Sequence, residues 1–238
     1  MMKSLNGQRV LIIGGSSGIG LATAEAAVKA GASVTIASRN QDKLDAAAAK
    51  LDNAPQTVIL DTGDNNFLES YFQREQPWDH ILISAAQTKS GPIGSLSLAD
   101  AEASVASKFW GAYRVARVAR FCDRGSLTFI SGFLSERPSA TSVLQGAINA
   151  ALESLARGLA LEFAPIRVNS VSPGLIESPL WDDLSPEKRK TLFETTASKL
   201  PVRKIGRPED IANAVLFLMT TSFATGSTVR VDGGGVIA

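Results

Sequence analysis

Cysteine and histidine are almost missing from this chain of 238 residues: Cys122 and His80 are the single examples of each. One cysteine excludes an intramolecular disulfide framework, and no Cys/His cluster carries the spacing of a metal site. An excess of one charge is also lacking. Lys+Arg number 24 against Asp+Glu 23, so there is no basic field for nucleic acid or acidic lipid. No apolar run approaches the roughly 20 residues that a membrane span needs, and residues 1–8 are too short and too polar for a signal peptide. The expectation is a cytoplasmic, soluble protein with neither nucleic acid nor membrane as partner. What is present fits that: 45% hydrophobic and 20% charged residues, ordinary for a folded chain and long enough to bury a substantial core.

Short apolar runs alternate with longer helical patterns from end to end. Residues 9–13 (RVLII), 33–37 (SVTIA), 57–60 (TVIL) and 80–84 (HILIS) read as strands, followed by 127–131 (LTFIS), 167–171 (RVNSV) and 228–231 (TVRV). Runs without polar alternation are expected where helices cover both faces of a parallel sheet. Helical patterns fall between them, at 19–30, 42–51, 150–163 and 209–219. In the third, Leu152, Leu155, Leu159 and Phe163 form one buried stripe. Repeated strand–helix–strand units predict a doubly wound, Rossmann-type α/β sandwich of three layers. No linker or internal repeat divides residues 1–238, so one domain is expected. Residues 177–201, with Pro179, Trp181 and Pro186, read as a long irregular segment, placed like a lid after a strand's C-terminal end.

Gly14-Gly15-Ser16-Ser17-Gly18-Ile19-Gly20 follows the first strand and opens the first helix. Glycines there allow a sharp turn and let the backbone approach a pyrophosphate, while the helix N-terminus offers N–H groups to the anion. Strand before and helix after is the context that makes the motif a dinucleotide site. The second strand ends in Ser38-Arg39, with no acid to accept from a ribose 2′-OH. A positive charge at this point favours NADP(H) over NAD(H). Asp61 and Thr62 after the third strand are candidates for the adenine edge, and Ser84, Ala85 and Ala86 after the fourth leave room for the cofactor.

With these motifs in place the chain resembles the short-chain dehydrogenase/reductase family over nearly its whole length. The Gly14–Gly20 turn is similar to that family's Gly-x-x-x-Gly-x-Gly. Leu159-Ala160-Leu161-Glu162-Phe163, then Arg167-Val168-Asn169-Ser170-Val171-Ser172-Pro173-Gly174, resembles its late helix and sixth strand. Gly206-Arg207-Pro208-Glu209-Asp210-Ile211-Ala212 and Val231-Asp232-Gly233-Gly234 resemble its C-terminal signature. The resemblance implies about seven parallel strands, hydride transfer at a nicotinamide, and a homo-oligomer, dimer or tetramer. It places Pro173, Gly174, Ile176 and Ser178 beside the cofactor, Ser178 near the carboxamide.

The resemblance breaks at the chemistry. The family uses a Tyr-x-x-x-Lys pair, a Ser after the fifth strand and an Asn on the fourth helix. Here Gln145 stands at the Tyr position and Asn149 at the Lys position, and residues 141–163 contain neither Tyr nor Lys. Gly132 occupies the Ser position, with Ser131 one residue early, and Lys108 stands at the Asn. Ile13 replaces the first turn's Thr. Gln145 and Asn149 can hydrogen-bond but cannot exchange a proton near neutral pH. Lys108 can, if desolvated in a cleft; the alternative is an ordinary surface lysine. Ser131 or Ser135 could orient a substrate oxygen, or serve as plain strand-end hydroxyls. His80 is expected ahead of the fourth strand, far from the cofactor, and Cys122 after the fourth helix as packing. Tyr113 points away from Lys108 on its helix, and Phe109 and Trp110 serve either the core or a partner helix. Two functions remain: an NADP-dependent oxidoreductase of atypical mechanism acting on a small-molecule carbonyl or alcohol, or a non-catalytic NADP-binding sensor or scaffold. A lyase or isomerase that keeps the nucleotide as structure is a third.

Overall fold

The computed structural model describes residues 4–238; Met1, Met2 and Lys3, which begin the stretch judged too polar for a leader, lie outside the described residues. Seven parallel strands run in the spatial order β3-β2-β1-β4-β5-β6-β7. They are β1 (Arg9–Ile13), β2 (Ser33–Ser38), β3 (Gln56–Ile59), β4 (Trp78–Ile83), β5 (Phe121–Ile130), β6 (Arg167–Pro173) and β7 (Thr228–Val231). The helices are α1 (Gly18–Lys29), α2 (Gln41–Ala48), α3 (Asn65–Arg74), α4 (Leu98–Val105), α5 (Gly111–Val118), α6 (Val143–Glu162), α7 (Pro186–Lys199) and α8 (Pro208–Thr220). Residues alternate across β1: Val10 and Ile12 join a core with Ala24, Val28, Leu44, Ile211 and Val215. Leu11 and Ile13 face a second core with Leu68, Phe72, Val115, Leu152 and Ala156. The period of two thus feeds two apolar layers, each covered by helices.

The strand order reverses at β1, which pairs with β2 on one side and β4 on the other. Open sheets of this kind form a crevice there, beyond the carboxyl ends of the strands. α4 and α5 form one continuous rod through a π turn, Ala106–Trp110, with Lys108 at its centre. A π turn inserts one residue into the helical phase and recurs at functional positions.

Several sequence expectations need correction. Residues 177–201 are mostly helical: a 3₁₀ turn at Pro179–Trp181 precedes α7. α7 starts well, with the Ser185 side chain accepting from Lys188 N and Pro186 in the first turn, but it buries no residue. It therefore shows no apolar stripe to read. β5 begins at Phe121, not 127, because its first turn-like half exposes Asp123 and Arg124 before the buried run begins. Cys122 is consequently inside β5, with Sγ donating to Pro77 O. His80 lies within β4, where Nδ1 meets Ser126 Oγ at 2.8 Å and Nε2 meets Gln8 Oε1 at 3.0 Å. α6 starts at Val143, seven residues ahead of the helical pattern expected from 150. No helix among the described residues is long and apolar enough to cross a membrane. No group of three or more His, Cys, Asp or Glu among them is placed to hold a metal.

Candidate active site

A cavity of about 1220 Å³ opens along the C-terminal ends of β1, β2, β4, β5 and β6. It exceeds the size of a typical small-ligand pocket. Every cofactor residue proposed above lines it, from Gly14, Ser16, Ser17, Gly18, Ile19 and Gly20 to Pro173, Gly174, Ile176 and Ser178. So do Lys108, Ser131, Gln145 and Asn149.

At one end the Gly-rich turn is built tightly. Gly14 has φ +91, and a Cβ on it would sit 2.5 Å from Ala85 N. A Cβ on Gly20 would sit 2.1 Å from Gly14 O. Ser84 Oγ locks the turn by donating to Ile13 O at 3.2 Å. The first turn of α1 contains no acid, and no side chain caps it. α2, α3, α4 and α7 are each capped by a side chain, from Asn40, Asp64, Ser97 and Ser185. A long helix that leaves its N–H groups free toward a cavity suits an anionic pyrophosphate. At the end of β2, Ser38 is half-buried while Arg39 and Lys43 are exposed at the cavity wall. Lys43 was not foreseen; it sits on the first turn of α2, where only its spacing from Arg39 could have revealed it. Asp61 Oδ1 accepts from Gly63 N at 2.8 Å, shaping the loop after β3.

At the other end Lys108 is no ordinary surface lysine. Its Nζ donates to Ser131 O at 2.8 Å and to Asn149 Oδ1 at 2.6 Å. Lys108 lines the cavity and is half-buried, and burial pushes its pKa down to about 8 against an upward pull from Glu153. The contact ties the π turn to α6, with the positive charge between Ser131 and Asn149. Gly132 packs against the same pair: a Cβ there would lie 2.7 Å from Asn149 Nδ2.

Gln145 is occupied elsewhere. It is buried, and its Nε2 donates to Lys89 O on the loop after β4. That loop is held twice more, by Ser107 Oγ accepting from Gln87 N and Ser104 Oγ accepting from Lys89 N. The Ser131 hydroxyl is likewise committed, donating to Glu153 Oε1 at 2.8 Å, and so is Ser135 Oγ at 2.8 Å. Neither hydroxyl stands free to orient a substrate oxygen. Glu153 went unnoticed in the sequence, although a carboxylate between Leu152 and Ala156 on a core-facing stripe is itself a signal. Tyr113 is exposed, meets Trp110 in a T-shaped contact with centroids 5.5 Å apart, and does not line the cavity. Phe109 joins the core, whereas Trp110 is exposed.

Residues 14–235 match the sequence model of a family described as enoyl-(acyl carrier protein) reductase. A short-chain dehydrogenase/reductase of Stachybotrys chlorohalonatus, ATR9, is 36% identical, the match covering 99% of this chain and all of that one. The chain belongs to the short-chain dehydrogenase/reductase family. Solved members agree in shape. A small-chain dehydrogenase in complex with NADPH superposes with a TM-score of 0.85 at 32% identity, covering 97% of this chain and 99% of the other. The L-sorbose reductase of Gluconobacter frateurii, complexed with NADPH and L-sorbose, gives 0.89 at 26% identity over the whole of both chains. In this chain Lys108 is surrounded by the Asn149 amide of α6, by Gly132 after β5, and by the buried Glu153 carboxylate behind Ser131.

Proposed function

We propose that the protein is an NADP-dependent oxidoreductase that interconverts a small or medium carbonyl compound and its alcohol, with Lys108 as the group that exchanges the proton. The observation that carries this is the Lys108–Asn149 contact at 2.6 Å. On the resemblance, which puts the family's lysine at the position of Asn149, it supports an ammonium brought to that place from the other helix. The NADPH held by two solved relatives supports the cofactor, and Arg39 with Lys43 supports the 2′-phosphate form, since both are cations on the cavity wall and no acid stands at the end of β2.

When bound, the nicotinamide supplies or accepts the hydride. The chain's own residues do the rest. Asn149 Oδ1 and Ser131 O hold two of the three ammonium N–H groups, leaving the third for the substrate oxygen. In the reductive direction that N–H stabilises the developing alkoxide and then passes its proton to it. Positioned acid–base help of this kind contributes about 10²–10⁴ in rate. Phe133, Leu134, Leu180, Trp181 and Leu192 provide apolar walls on the substrate side, which exclude water and strengthen the ammonium's field.

The test is fluorescence titration with NADPH and NADH, followed by a panel of ketones and aldehydes with wild type and Lys108→Met. NADPH should bind more tightly than NADH, and Lys108→Met should lower turnover about 10²–10⁴-fold while NADPH affinity changes little. Reductive turnover should fade as pH rises through about 8, where Lys108 loses its proton. Unchanged turnover in Lys108→Met would overturn the assignment. A sensor or scaffold is the competing reading, favoured by Gln145, an amide that cannot exchange a proton and whose Nε2 is engaged with Lys89 O. NADPH binding without turnover across the panel would decide for it.

A further inference from the structure

We propose that Glu153 is a positioning residue for Lys108: a buried counter-charge that acts through Ser131 to hold the ammonium in place and protonated. The proposal rests on the reading of Lys108 as the proton-exchanging group. Asn149 and Glu153 are one turn apart on α6 and share a face. Glu153 is 7% exposed, and a carboxylate so enclosed requires strong compensation. Two hydroxyl donors supply part of it, Ser131 Oγ and Ser135 Oγ, each 2.8 Å from Oε1. Among the described residues no Lys or Arg nitrogen lies within ion-pairing distance of Glu153.

The remaining compensation stands on the other side of Ser131. Its hydroxyl donates to Glu153, and its carbonyl accepts from Lys108 Nζ at 2.8 Å. One residue is therefore gripped from both sides by opposite charges. Asn149 closes the circuit, because α6 fixes it relative to Glu153 while its Oδ1 accepts from the same ammonium. The other charged groups around the pair make their direct contacts elsewhere. Arg230 of β7 pairs with Glu136 while also feeling the charge of Glu153 from a distance, and Arg137 donates to Gly235 O. Lys89, on the loop over the site, is 3.7 Å from Asp100, and Arg114 on α5 reaches back to Ala106 O. Glu153 is thus the charge whose field acts on Lys108, and it opposes the lowering caused by burial.

The contacts suggest a measurement that does not depend on turnover: the lysine NMR titration of the full chain, with Lys108 assigned by its loss in Lys108→Met. Glu153→Gln keeps the size and an acceptor for the two serines but removes the charge. The Lys108 midpoint should fall by roughly one pH unit, in line with loss of a nearby opposite charge. The pH at which reductive kcat/KM fades should fall with it, and Glu153→Asp should restore most of both. Should Glu153→Gln fail to fold, Ser131→Ala with Ser135→Ala removes the two hydroxyls that hold the carboxylate against Ser131, and the Lys108 midpoint again falls. A midpoint unmoved in a folded variant overturns the proposal. That outcome differs from failure of the functional reading, which shows as undiminished turnover in Lys108→Met with the NMR coupling intact.

Discussion

Lys108→Asn combined with Asn149→Lys would move the charge to α6, and the two single substitutions measure what the contact is worth. In Asn149→Lys alone, two ammonium groups would meet where an ammonium and an amide oxygen now lie 2.6 Å apart. At about 4 Å and an effective dielectric of about 20 they would repel by about 4 kcal/mol. Shedding one proton at neutral pH, from an unfolded value near 10.4, costs about 4–5 kcal/mol, so neither escape is cheap. Lys108→Asn alone strips Asn149 Oδ1 and Ser131 O of a charged donor, on the order of 2 kcal/mol. The double exchange restores one ammonium facing one amide and should fall within about 2 kcal/mol of wild type. The cycle therefore predicts a coupling of about 4 kcal/mol. Urea denaturation of the four proteins at pH 7 reads this directly, and Asn149→Lys should melt roughly 10 °C lower for a chain of this length. Additivity of the two single substitutions to within about 0.5 kcal/mol would refute the direct contact.

Three further perturbations follow from the same structure. Arg39→Asp should weaken NADPH far more than NADH in fluorescence titrations, because the cation beside β2 becomes an acid that repels a 2′-phosphate; equal losses would remove the case for NADP. Gly132→Ser should lower stability by about 1–3 kcal/mol and disturb the Lys108–Asn149 contact, since its Cβ meets Asn149 Nδ2 at 2.7 Å. Asn149→Ala should relieve that cost, and a neutral Gly132→Ser in the unmodified chain would contradict the packing. Burial pushes the His80 pKa down to about 4, so the unfolded chain takes up a proton below about 6.5 that the fold refuses. Its contribution is full above that pH and declines toward pH 4 by about 3 kcal/mol, a slope that His80→Gln should flatten between pH 6.5 and 5 in denaturant titrations.

The sheet and its switch point were legible because a parallel strand buried on both faces reads as an unbroken apolar run, as in β1 and β4. The Gly14–Gly20 turn was legible because its glycines answer to backbone collisions that no other residue avoids. α7 was hidden because it buries nothing, so the Ser185 cap and Pro186 in its first turn were its cues. The first half of β5 was hidden behind exposed charges. Lys108 could be named as a candidate from its register, but its enclosure depends on the π turn and on Asn149, which lie 41 residues apart in sequence. Hydroxyl commitments of Ser131 and Ser135 to Glu153 are tertiary facts, since α6 and the loop after β5 meet only in the fold.

The open end of α1 has a consequence for how long the molecule survives. Its free N–H groups are finished by whatever anion lodges there, so occupancy feeds directly into folding free energy. A ligand present at 100 times its dissociation constant adds about 2.7 kcal/mol. The population of unfolded chains, and with it exposure to proteolysis, should then rise and fall with the supply of the nucleotide. A pool that runs down would thin out the protein itself, not merely idle it.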